Sequence, residues 1–148
     1  MPSTHTSLHY HVVFSTKNRE STIGPHIRDD LHAYLGGIVR GMKGVAYAAG
    51  GTNDHVHVFM GLKATHCLAD VMRELKADSS KWLKTEKGVH NFSWQEGYGA
   101  FTVSAPDQEK VRQYVINQEE HHRVKTFKEE YVAMLDRGLV EYNDKYLW

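Results

Sequence analysis

The sequence predicts an α+β fold on three observations. Several short segments are rich in β-branched and aromatic residues, and the best of them alternates polar with apolar side chains. Longer stretches between them repeat their apolar residues at helical spacing. The two kinds follow one another as strand, helix, strand, strand, helix, strand, then helices. That order is the split βαβ pattern of a ferredoxin-like sandwich, an antiparallel sheet with helices on one face. The chain has 148 residues, 41% hydrophobic and 24% charged, which suits a single domain over residues 1–148.

"LHYHVVFSTKN" reads as the first strand, ended by its polar "TKN". "GPHIRDDLHAYLGGIVRGMKG" reads as a helix with Pro25 in its first turn and Ile27, Leu31, Leu35 and Ile38 as its apolar stripe. "VAYAAGG" and "HVHVFMGL" flank the short polar "TND" and make a hairpin. "LADVMRELKADSSKWLKTEKG" is a second helix, with Leu68, Val71, Met72 and Leu75 inward. "FSWQEGYGAFTVS" is extended with a glycine-rich turn. "APDQEKVRQYVINQEEHHRVK" is a third helix, with Asp107 near its start as a cap. "TFKEEYVAMLDRGL" and the tail "VEYNDKYLW" form a helical C-terminal extension over about residues 124–148.

Eighteen basic residues balance eighteen acidic ones, so any nucleic-acid surface is a local patch rather than a basic molecule. Cys67 is the only cysteine, which excludes an internal disulfide and a cysteine zinc site within one chain. The opening residues lack the basic-then-apolar pattern of a signal peptide, and no apolar run is long enough to span a membrane. A cytoplasmic protein is expected.

Eleven histidines are the unusual feature. In "NDHVHVFMGL" the alternation puts His55 and His57 on the same face of a strand, about 7 Å apart. Two imidazoles need a third ligand from another element to hold a metal ion. Tyr114 and Gln118 stand four residues apart on one face of the third helix. If that helix lies across the open face of the sheet, Gln118 supplies an amide oxygen. Two imidazoles, one oxygen and water suit Mg²⁺ or Mn²⁺ with phosphate as the remaining ligand. Tyr114 then stands close enough to attack that phosphate. Without such a partner helix, the histidines are an exposed polar face and Tyr114 and Gln118 are ordinary helix residues.

His55-Val56-His57 followed by Tyr114 and Gln118 on a later helix resembles the HUH single-tyrosine transposases. These comprise the IS-two-hundred type and their REP-associated relatives. "HYHVVFSTKNRE", "GGTNDHVHVFMGL", "ADSSKWL", "WQEGYGAFTVS", "YVINQEEHH" and the closing "YLW" carry the resemblance over most of the chain. It implies a metal-dependent endonuclease and strand transferase that acts on single-stranded DNA and recognises hairpins. His55, His57 and Gln118 would be metal ligands and Tyr114 the nucleophile of a 5′-phosphotyrosine intermediate. It also implies a homodimer. The apolar and aromatic late segment, with Phe127, Tyr131, Met134 and Trp148, exceeds what a two-layer core needs and points the same way.

Lys17, Arg19, Lys76, Lys81 and Lys84 are the lysine and arginine candidates for DNA phosphate contacts. His121, His122 and Arg123 are further DNA contacts rather than ligands, and His9 and His11 neighbour the site. Two other functions fit parts of the pattern. A histidine-based nucleotide hydrolase wants a third alternating histidine, but Phe59 stands there. A non-catalytic or domesticated single-stranded nucleic-acid-binding module would use the sheet's aromatic residues instead.

Overall fold

The computed structural model describes residues 3–148; Met1 and Pro2, included in the expected domain, lie outside them. The strands are β1 (His9–Ser15), β2 (Val45–Gly51), β3 (His55–Gly61) and β4 (Gly99–Thr102). They form one antiparallel sheet in the order β2-β3-β1-β4. This is the expected ferredoxin-like arrangement, with β3 central. The helices are α1 (Pro25–Gly41), α2 (Leu68–Glu86), α3 (Gln108–Ile116), α4 (Gln118–His121) and α5 (Phe127–Arg137).

Strand alternation divides the molecule into layers. Val12 and Phe14 of β1 and Val56, Val58 and Met60 of β3 turn to one face. There they join Leu31, Leu35 and Val39 of α1 and Val71, Met72 and Leu75 of α2 in the main core. Trp94 is buried in that core, with Trp82 and Tyr98 packed against it. Val13 and Phe59 turn to the opposite face, where α3 and α5 supply Val115, Tyr131, Met134 and Leu135.

Helices α1 and α2 cover one face of the sheet, and α3 with the C-terminal helices covers the other, the side across which the third helix was expected to lie. Two expectations are corrected. The third helix does not run unbroken over 105–125: α3 ends at Ile116, and Asn117 leaves helical geometry at φ −93° and ψ 29° before α4 begins. Phe127, Tyr131 and Met134 are buried against this second face, with Trp148 packed beside them. They therefore complete a third layer of the chain's own fold, which removes their apolar excess as a reason for dimerisation.

Two local features fix that third layer. Gly50 pairs with His57 across the β2–β3 ladder. A Cβ at Gly50 would lie 1.9 Å from the Val115 carbonyl oxygen, so only glycine lets α3 rest this closely on the sheet. Thr126 caps α5: its hydroxyl accepts from the Glu129 backbone N–H and donates to the Glu129 carboxylate. The cap sets the phase of α5 and turns Glu130 and Tyr131 inward. Among the described residues no helix is long and apolar enough to cross a membrane.

Candidate active site

His55 and His57 face the third layer, as alternation requires, and neither is exposed. The side of the sheet they occupy is closed rather than open. His55 Nε2 lies 3.1 Å from Gln118 Oε1 and 3.7 Å from Glu130 Oε1. His57 Nε2 lies 3.0 Å from the same Glu130 oxygen. His122 Nε2 reaches both oxygens, at 3.1 Å from Gln118 Oε1 and 3.2 Å from Glu130 Oε1. Three imidazole nitrogens, an amide oxygen and a carboxylate oxygen thus converge. The donor atoms of His55, His122 and Glu130 lie within 4.8 Å of one another.

This donor set fits a divalent cation: imidazoles with oxygen ligands are what such ions take. The backing of the histidines fits as well. His55 Nδ1 donates to Asp54 Oδ1 at 2.8 Å, and Asp54 in turn lies 3.6 Å from the Arg19 guanidinium. His57 Nδ1 lies 2.7 Å from Nε2 of the buried His11. Partners on Nδ1 fix each ring and leave Nε2 for a ligand. Burial lowers the His57 imidazole from its ordinary 6.5 to about 4, although Glu130 opposes the shift. Burial and the neighbouring His57 lower His11 to about 3. Metal binding requires the neutral imidazole, and burial favours that form at His57.

Glu130 joins this cluster to the nucleophile candidate. Its Oε1 meets the histidines, while its Oε2 accepts a hydrogen bond from Tyr114 Oη. Burial works against ionisation of Glu130. The hydrogen bonds from His122 and His57, the charge of His57 and the Tyr114 hydroxyl outweigh it and hold the carboxyl well below its usual range. Tyr114 is pushed the other way: burial first, then the bond to Glu130 and its charge, raise the phenol above its ordinary 10. The resting site is a neutral phenol facing a carboxylate. The Tyr114 ring stacks on His121 at 4.4 Å and meets His11 and His57 edge-on. Gln118 is fully buried, and its Nε2 donates to the Tyr114 carbonyl, so the two residues hold together across the break at Asn117.

The family model described as Transposase IS200 like matches residues 4–118. The chain belongs to this family. No curated protein matches it. Two solved structures share the transposase's fold. One is a Deinococcus radiodurans R1 protein assigned as a transposase, 23% identical, with a TM-score of 0.63 over 80% of this chain and 95% of that one. The other is a REP-associated tyrosine transposase bound to a REP hairpin, 18% identical, with a TM-score of 0.59 over 97% of this chain and 93% of that one.

In this transposase the sequence-based candidates divide. His55, His57, Gln118 and Tyr114 come together. His122, expected as a DNA contact, is half-buried in the cluster because it lies one turn after Gln118 on the same face of α4. His121 is occupied by the Tyr114 ring. Arg19 lies 4.6 Å over the Trp148 ring beside its carboxylate partner Asp54. Lys76 donates to the carbonyls of Gln95, Glu96 and Gly97, so it ties down a loop. Arg123 pairs with Glu120 on the surface. Lys17, Lys81 and Lys84 are exposed and make no ion pair among the described residues. Glu130 was missed by sequence reasoning, since it lies beyond the family match and looks like any acidic residue of an amphipathic helix. The only local signal was the capping pattern "TFKE", which fixes the helix phase.

Proposed function

We propose that this transposase is a metal-dependent endonuclease and strand transferase for single-stranded DNA, working through a 5′-phosphotyrosine on Tyr114. The observation that carries the reading is the single carboxylate of Glu130, which touches both the histidine cluster and the tyrosine hydroxyl. His55, His57 and Gln118 are the proposed metal ligands, with Glu130 and His122 in place to complete the set. Mg²⁺ or Mn²⁺ held there would neutralise charge on the scissile phosphate. Tyr114 Oη attacks phosphorus, the bond to the 3′ oxygen breaks, and that oxygen takes up a proton as it leaves. Glu130 Oε2 is the acceptor already placed for the phenol proton. The new phosphotyrosyl ester conserves the energy of the broken bond, so rejoining needs no nucleotide cofactor.

The substrate is proposed to be a hairpin or palindromic repeat, by analogy with the REP-associated structural relative bound to a REP hairpin. Lys81 and Lys84 on α2 lie in the layer opposite Tyr114, so they serve DNA flanking the cut rather than the scissile phosphate. Lys17 is exposed and follows the end of β1 where Ser15 pairs with His55. A homodimer, tested by light scattering, would have to use surface other than the late aromatic residues.

The test is incubation of labelled hairpin DNA with Mn²⁺ and analysis on a denaturing gel. A covalent adduct is expected, with the phosphotyrosyl peptide mapped by mass spectrometry to "QYVINQ". Tyr114→Phe is expected to bind the DNA and form no adduct. An adduct on Tyr98 or Tyr131 would overturn the assignment of the nucleophile, and reversible binding alone would make the chain a non-catalytic binding module.

A further inference from the structure

Beside Tyr114 a cleft of about 610 Å³ opens between β4, α3 and the end of α5. Tyr114 and His11 border it. Phe101, Val111 and Met134 give it apolar walls. Lys110 of α3 and Arg137 in the last turn of α5 line it from two different helices. Both cations are exposed, and neither makes an ion pair among the described residues. Asp107, also on the lining, accepts a hydrogen bond from Ser104 Oγ at 2.9 Å. The positive charge of Arg137 reaches Tyr114, where it favours the ionised phenol against burial and Glu130.

Each part of this cleft suits a piece of a nucleotide. Unstacked bases bind to aromatic and apolar surfaces with little regard to sequence, while cations track the phosphates. The volume lies in the range of pockets that hold ligands of this size. Resting on the phosphotyrosine reading, we propose that the cleft seats one unpaired nucleotide next to the scissile phosphate. Its base lies against Phe101 and Met134, and its phosphate lies between Lys110 and Arg137. The two cations and the nucleophile then share one phosphate track. Neither lysine-bearing α2 nor the basic residues near Asn18 provide this, because they flank other parts of the fold.

Binding is measured without chemistry, in EDTA, with a fluorescein-labelled hairpin carrying a single-stranded oligo-dT arm. Lys110→Gln and Arg137→Gln each remove one phosphate contact, so each is expected to lower the slope of log affinity against log salt by about 0.7. An abasic residue is then moved along the arm. In the wild type one position is expected to weaken binding about fivefold or more, as loss of a stacked base does. In Phe101→Ala that position should no longer matter, and Phe101→Leu, which keeps the core filled, should behave the same way. Unchanged salt slopes in both cation variants, or an abasic profile that the Phe101 variants leave intact, overturn the assignment. Failure of the wild type to form the tyrosine adduct is a separate result, and it would overturn the catalytic reading instead.

Discussion

The two faces of β3 carry the same backbone and opposite chemistry. Val56, Val58 and Met60 meet α1 and α2 in an apolar core. His55 and His57, one residue out of phase, meet a buried cluster of imidazole, amide and carboxylate. The first face is held by apolar burial, which is indifferent to the direction of any one atom. The second also packs Phe59 against Val115, but its histidine end is held by hydrogen bonds that fix atoms to tenths of an ångström. The difference separates stability from activity along a single strand.

The sharpest way to break this comparison is to strike one face at a time. His57→Ala should take Mn²⁺-dependent adduct formation below detection while the chain stays folded by circular dichroism. Phe14→Ala, on the other face, should cost about 3–5 kcal/mol in urea unfolding, with the folded fraction still binding Mn²⁺. Equal loss of stability in the two variants would mean that the faces are not distinct.

Gly50→Ala probes how the faces are joined. The added methyl meets the Val115 carbonyl at 1.9 Å, so α3 must move away from His57. Adduct yield in single-turnover assays should fall on the order of 10²-fold, as a displacement of about 1 Å near a reacting group produces. Wild-type yield would show that α3 tolerates the shift.

His11→Phe keeps an aromatic ring beside Tyr114 but removes the hydrogen-bond partner of His57 Nδ1. Mn²⁺ affinity, read by electron paramagnetic resonance, should weaken about 10- to 100-fold, the usual effect of losing a residue that orients a ligand. His11→Gln, whose amide can donate or accept at similar reach, should recover most of it. Weakening of both variants alike would reduce His11 to a packing residue.

The last expected effect concerns pH. His11 at about 3, and His32 and His57 at about 4, are held by burial below the 6.5 of the unfolded chain. Between about 6.5 and these values the unfolded state binds more protons. Stability of the metal-free protein should therefore decline as pH falls through that window, seen as a falling Tm. A flat profile there would show that the imidazoles are not buried in neutral form.

Much of the first face was legible in the sequence. Its strands and helices announce themselves through local periodicity, and the sheet order follows from their succession. The histidine pair and the Tyr114–Gln118 spacing were legible for the same reason. Glu130 was not, because its meeting with His57 spans 73 residues and depends on how α5 docks. Nor was the break at Asn117, where neither glycine nor proline marks a helix end. His122 stands four residues after Gln118 and so shares its face; that spacing was in the sequence, but nothing local showed that the cluster extends one turn further.

The central claim is that the histidine face of β3 is a metal site into which Glu130 reaches. The most direct measurement is an anomalous difference map from crystals of the full chain soaked in Mn²⁺. A peak bonded to Nε2 of both His55 and His57, with Gln118 or Glu130 oxygen in its coordination shell, is the result expected. A map with no peak there, and Glu130 still hydrogen-bonded to the histidines at saturating Mn²⁺, would contradict it.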